Sequence, residues 1–202
     1  MNFLVHSWLA RDNDAYVAGA FLGDFVKGPI PLTLPRELQK GIRLHRHIDS
    51  TSNKMEEMRS TYWRLGPDLR RVAPILLDLI ADHILALHWD RYGEGKLSDF
   101  TRHCYRSIGK YEIPCTAVEL YHHTVNRDLW ANYADLDVIL GIMHRILERL
   151  GKEAFKNGLS VIPRDLALFH IDFQIYFPAL EQKVNSWRRS ELDRVHEEGF
   201  LE

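Results

Sequence analysis

Cysteine is scarce in this chain: only Cys104 and Cys115 occur among 202 residues, and they form no CxxC pair. A disulfide-rich scaffold and a thiolate zinc site are therefore excluded; reduced, partly buried thiols in a cytosolic protein are expected, with a single disulfide as the alternative. Long apolar runs are missing too. No stretch approaches the roughly 20 residues that span a bilayer. The opening MNFLVHSWLARDNDAY has neither the basic start nor the apolar length of a signal peptide. Neither sign of charge is in excess, since 26 Lys and Arg face 28 Asp and Glu for a net of −2. Nothing global draws the chain to nucleic acid or to an anionic membrane. Also absent are a glycine-rich phosphate loop, a GxSxG elbow and alternating runs joined by hairpin turns. These absences leave a cytoplasmic protein with no nucleic-acid or membrane partner.

What is present is helical spacing throughout, with 46% apolar and 27% charged residues. The length suits one domain over residues 1–202 with a substantial core. Apolar periodicity predicts helices over 2–10 and 13–27, then a proline-rich loop GPIPLTLP at 28–35 that no helix can cross. A long helix is predicted from Pro35 to about residue 64, broken by Gly66-Pro67, and another from there to Tyr92. Further helices are predicted at 97–109, 114–133 and 135–150. A loop around 156–162 follows, then a last helix from Pro163 towards Arg194 with Pro178 inside it. The expected architecture is all-α, about seven to eight helices.

Eleven histidines is a high count, and several lie beside aspartates. In RRVAPILLDLIADHILALHW (70–89), Asp78, Asp82 and His83 interrupt an otherwise apolar helix. Asp78 and Asp82 are one turn apart, about 40° from each other around the helix. Burying carboxylates is costly without a counter-charge. One buried acid suits an arginine partner; two acids with a histidine suit a cation better. In GIRLHRHIDS (41–50), His45 and Asp49 share a face, although an ordinary helix-surface ion pair has the same spacing. Asp24 sits among apolar residues in AFLGDFVKG (20–28). His6 lies in the apolar first helix, where taken alone a hydrogen-bonded core histidine is the better reading. Together these helices offer a mixed imidazole and carboxylate set, the ligand class of Mn, Fe, Zn or Mg. The chemistry that remains is metal-assisted hydrolysis.

The pieces NFLVH (2–6), GDFVKG (23–28), HRHID (45–49), RRVAPILLDLIADH (70–83), LHW (87–89), the Trp130–Asp137 region and YFPAL (176–180) closely resemble the bacterial acyl carrier protein phosphodiesterases. The resemblance runs in order along nearly the whole chain. It implies a divergent, all-helical relative of the HD phosphohydrolases. The activity implied is Mn(II)-dependent removal of 4′-phosphopantetheine from holo acyl carrier protein, with Mg(II) or Fe(II) as alternative ions. The resemblance assigns Asp82 and His83 as the counterpart of an HD pair, supported by Asp78. Asp24 and His45 complete the expected metal ligands, and His6 and Asp49 serve as supporting or additional ligands. One departure is visible: the family pattern NFLAHLHLA has a histidine where this chain has Trp8. Arg43, Arg46, Arg64, Arg70 and Arg71 are the candidates for gripping the phosphate or docking the acidic carrier protein. A nucleotide or other small phosphoester is the alternative substrate.

Overall fold

A computed structural model describes residues 3–199, with side chains to Glu191. All regular structure among these residues is helical. The helices are α1 (Phe3–Leu9), α2 (Asp14–Leu22), α3 (Arg36–Ser52), α4 (Arg59–Leu69), α5 (Ala73–Leu87), α6 (Trp89–Tyr92), α7 (Leu97–Ile108), α8 (Cys115–Arg127), α9 (Leu136–Arg149), α10 (Val161–Arg164) and α11 (Leu166–Gly199). Short 3₁₀ turns occupy Glu56–Met58, Ala131–Ala134 and Glu153–Ser160. The predicted start of the first helix at Asn2 lies outside the described residues. No helix among them is long and apolar enough to cross a membrane. Cys104 is buried, Cys115 is exposed, and both are free thiols.

The helix count exceeds seven to eight mainly because long periodic segments are subdivided. The helix predicted from Pro35 to residue 64 is two helices. Ser52 Oγ and Asn53 Nδ2 both turn back onto the carbonyl of Asp49, at 3.2 and 2.8 Å. Side chains that compete for the backbone in this way end helices. The break at Gly66-Pro67 is a kink inside α4, with Gly66 at φ 77° and ψ 172°. His88, at φ −113° and ψ 36°, divides α5 from α6. α2 stops at Leu22, and α8 ends where Asp128 adopts φ 44°. The predicted loop at 156–162 is largely helical turn.

Three helices set up the interior. α1 is buried along its whole length and packs against α2 and α5. Its Phe3 ring contacts Phe21 and Trp130, with centroids 5.0 and 5.7 Å away. α2 and α3 cross at Gly19 and Gly41. A Cβ built on Gly19 would lie 2.4 Å from the Gly41 carbonyl carbon, so only glycine permits this approach. The crossing draws the end of α2, with Asp24 just beyond it, against the middle of α3, which carries His45 and Asp49.

Candidate metal centre

Two imidazoles and a carboxylate converge where α1 meets α3. Nε2 of His6 lies 3.1 Å from Asp49 Oδ1, and Nε2 of His45 lies 3.3 Å from Asp49 Oδ2. The two rings are 4.6 Å apart between centroids. Both histidines are buried, whereas the Asp49 side chain is 43% exposed. Neither ring nitrogen of His6 has an aligned hydrogen-bond partner, although the residue is fully buried. Donor atoms this close without hydrogen-bond alignment suit a shared cation. His6, His45 and Asp49 can hold a metal ion. Asp24 borders the group, its Oδ1 3.8 Å from His45 Nε2, and its buried Oδ2 has no hydrogen-bond partner.

Electrostatics agree with this arrangement. Burial lowers the pKa of His6, which favours the neutral ring that a metal ligand needs. Burial pushes the Asp49 carboxyl up, but the two imidazoles override it and hold the group well below the usual carboxylate range. Burial raises Asp78 to about 7, with the charges of Asp49 and Asp24 adding to the rise. Asp78 therefore lies within electrostatic reach of the cluster without belonging to it.

Asp82 and His83 have other partners. Asp82 is fully buried and accepts hydrogen bonds from the backbone N–H groups of Val5 (2.8 Å) and Leu4 (3.3 Å). It satisfies the unpaired first turn of α1 from a helix 77 residues further along. His83 points away from it, as adjacent helical positions must, and its Nδ1 pairs with the Tyr133 carbonyl at 2.8 Å. Its Nε2 is buried without a hydrogen-bond partner. Trp8, at the position where the family pattern has histidine, packs on Phe177 and donates from Nε1 to the Tyr92 carbonyl.

The arginines divide similarly. Arg46 donates to the Val26 carbonyl at 2.8 Å and lines an open cavity of about 380 Å³ together with Asp24, Lys27, His45 and Asp49. Lys27, exposed on the same wall, was not singled out by its spacing. Its position after the Gly23-Asp24 turn is the one signal the sequence carries. Arg43 and Arg71 are exposed, and Arg70 lines a second groove. Arg64 is engaged by Asp172 in a two-point pair of 2.8 and 3.0 Å.

Gly23 positions His45. Its backbone is helical, so alanine would be unstrained, but a Cβ there would lie 2.4 Å from His45 Cγ. Gly23→Ala is expected to displace the ring and weaken Mn(II) binding by about 10–100-fold, as disturbed ligand orientation does elsewhere. Calorimetric titration with unchanged affinity would show that His45 does not ligate from this position.

Fold and site together define an all-helical protein in which two buried imidazoles and a half-exposed carboxylate could hold a metal ion beside an open cavity that carries both acids and cations. A family profile described as acyl carrier protein phosphodiesterase matches residues 1–180, and the chain belongs to that family. A protein of that name from Pectobacterium atrosepticum is 31% identical over 189 residues, covering 90% of this chain and 96% of its own. One from Yersinia pestis is 33% identical over 164 residues, covering 78% and 83%. An Escherichia coli relative is 30% identical over 191 residues, covering 92% and 98%. No solved structure matches.

Proposed function

We propose that this protein hydrolyses the phosphodiester that joins 4′-phosphopantetheine to a serine of holo acyl carrier protein. The observation that carries the reading is the convergence of His6, His45 and Asp49 at an open cavity whose wall bears Lys27 and Arg46. Family membership supports the substrate. Water adds to phosphorus, the bond from phosphorus to the seryl oxygen breaks, and that oxygen takes a proton. The products are apo carrier protein and 4′-phosphopantetheine.

His6, His45 and Asp49 would hold the ion, with Asp24 as the nearest further carboxylate. The family resemblance points to Mn(II), with Mg(II) or Fe(II) as the alternative ions. Such an ion offsets charge on the phosphoryl oxygens and lowers the pKa of water towards about 7. Arg46, anchored on Val26, and Lys27 bind the non-bridging oxygens at the cavity wall. The departing seryl oxygen takes its proton from water at the open cavity. Lys27 exposes positive charge at this mouth, which favours encounter with an acidic partner. The helical scaffold and its His/Asp ligands also support kinship with the HD phosphohydrolases. On this reading the ligands come from three separate segments rather than from the adjacent Asp82-His83 pair.

Incubating purified protein and Mn(II) with holo carrier protein, followed by intact-mass spectrometry, tests the proposal. The carrier protein should lose the phosphopantetheine mass, chelator should prevent the loss, and the rate should fall as salt rises. Turnover of nucleotides or small phosphoesters with none of the carrier protein would instead favour the alternative substrate class.

A further inference from the structure

A groove of about 500 Å³ lies between the end of α3 and α4, lined by Asn53, Met55, Glu56, Tyr62, Trp63 and Arg70 among others. Its size falls within the ~300–1,000 Å³ of small-molecule sites. It is not the cavity over the metal centre; the two are one helical turn apart along the chain, with Asp49 on the first and Asn53 on the second. His45, Asp49 and Asn53 recur every fourth residue on one face of α3, each step advancing about 6 Å along the axis. Asn53 Nδ2 donates to the Asp49 carbonyl at 2.8 Å, and Tyr62 donates to Asn53 Oδ1 at 2.7 Å.

The groove has a mixed character. Trp63 is 73% exposed, an aromatic face left open to solvent. Met55 and Tyr62 supply apolar surface, and Asn53, Glu56 and Arg70 supply donors and acceptors. Glu56 is paired with Arg59 at 2.8 Å, which offsets part of the charge.

We infer that this groove is the subsite for the pantetheine arm of the substrate, which rests on the reaction proposed above. A diester at the metal centre has two sides: a folded protein beyond the seryl oxygen, and a flexible arm beyond the other. The exposed Lys27 lies on the loop after α2 and lines the cavity over the cluster, where an acidic surface can meet it. The slot lies past Asp49, at the C-terminal end of α3. The arm is uncharged beyond its phosphate, with a gem-dimethyl group, two amides and a terminal thiol. The apolar surface of Met55, Tyr62 and Trp63, with polar groups beside it, suits that chemistry. Seating the arm restrains the phosphorus against the cluster.

Trp63→Ala tests this, since so exposed a residue can be removed without opening the core. The variant should lose about 10-fold in kcat/KM on holo carrier protein, the equivalent of about 1.4 kcal/mol. Hydrolysis of bis(4-nitrophenyl) phosphate, which has no arm, should stay within about two-fold, and Trp63→Phe should restore most of the loss. Wild-type protein should bind free 4′-phosphopantetheine about 10-fold tighter than inorganic phosphate, and Trp63→Ala should erase that difference. Binding of apo carrier protein should not change. Equal losses on both substrates, or no difference between the two free ligands, would overturn the inference. Weakened binding of apo carrier protein would make the groove a protein-docking face instead. Should wild type fail to cleave holo carrier protein, the proposed reaction falls, and the titration with free 4′-phosphopantetheine still decides the groove.

Discussion

His45→Ala is expected to lower Mn(II) affinity by more than about 100-fold and to abolish measurable hydrolysis of holo carrier protein. His45 is buried with its Nε2 between Asp49 and Asp24, so no neighbouring side chain can take its place. Losing even a residue that only orients a ligand costs about 10–100-fold in metal affinity, and a ligand itself should exceed that. The same loss is expected for Asp49→Ala. A readout independent of turnover is available. An ion present at 100 times its Kd stabilises the folded state by about 2.7 kcal/mol, which raises Tm by about 5–10 °C for a chain of this size. Mn(II) should shift the wild-type melt by that amount and leave the His45→Ala melt unmoved. His83→Ala supplies the contrast, because His83 faces the Tyr133 carbonyl rather than the cluster. Its Mn(II)-dependent shift should persist. If His83→Ala lost the shift while His45→Ala kept it, the metal centre would belong to the adjacent Asp82-His83 pair after all.

That contrast shows where reading a sequence stops. Helical periodicity made the all-α class legible, and the pairing of His45 with Asp49 followed from their four-residue spacing. The kink at Gly66-Pro67 was visible because both residues act on the local backbone. The end of α3 was not, because it depends on Ser52 and Asn53 choosing the Asp49 carbonyl over solvent, a choice the apolar pattern does not record. His6 taken alone reads as a core histidine because its own helix is apolar, and it was only the family resemblance that made it a supporting or additional ligand. Only packing α1 against α3 brings it to Asp49. Arg64 could be assigned to a basic face until α11 supplied Asp172. Asp82 is the clearest case. Periodicity marks a buried acid that needs a partner, but the partner is a pair of backbone N–H groups on another helix, and backbone groups leave no trace in side-chain spacing.

Asp82→Ala should therefore act first on the fold and only through it on the site. The substitution strips both acceptors from the buried N–H groups of Leu4 and Val5. Each orphaned donor costs about 1–3 kcal/mol, and losing a helix cap typically costs about 1. These overlap, so the net expected loss is about 2–4 kcal/mol, or about 5–15 °C in Tm. α1 carries His6, so once its first turn is released, the distance from His6 to Asp49 is no longer fixed from the α5 side. Mn(II) affinity should fall as a consequence. Asp82→Asn separates the two effects, because its carbonyl oxygen keeps one acceptor and its shape is nearly unchanged. It should recover roughly half of the lost stability and most of the Mn(II) binding. Thermal melts and Mn(II) titrations on the two variants decide the matter. If Asp82→Asn melts like wild type yet binds no Mn(II), Asp82 ligates the ion directly, and its hold on α1 is incidental to the site.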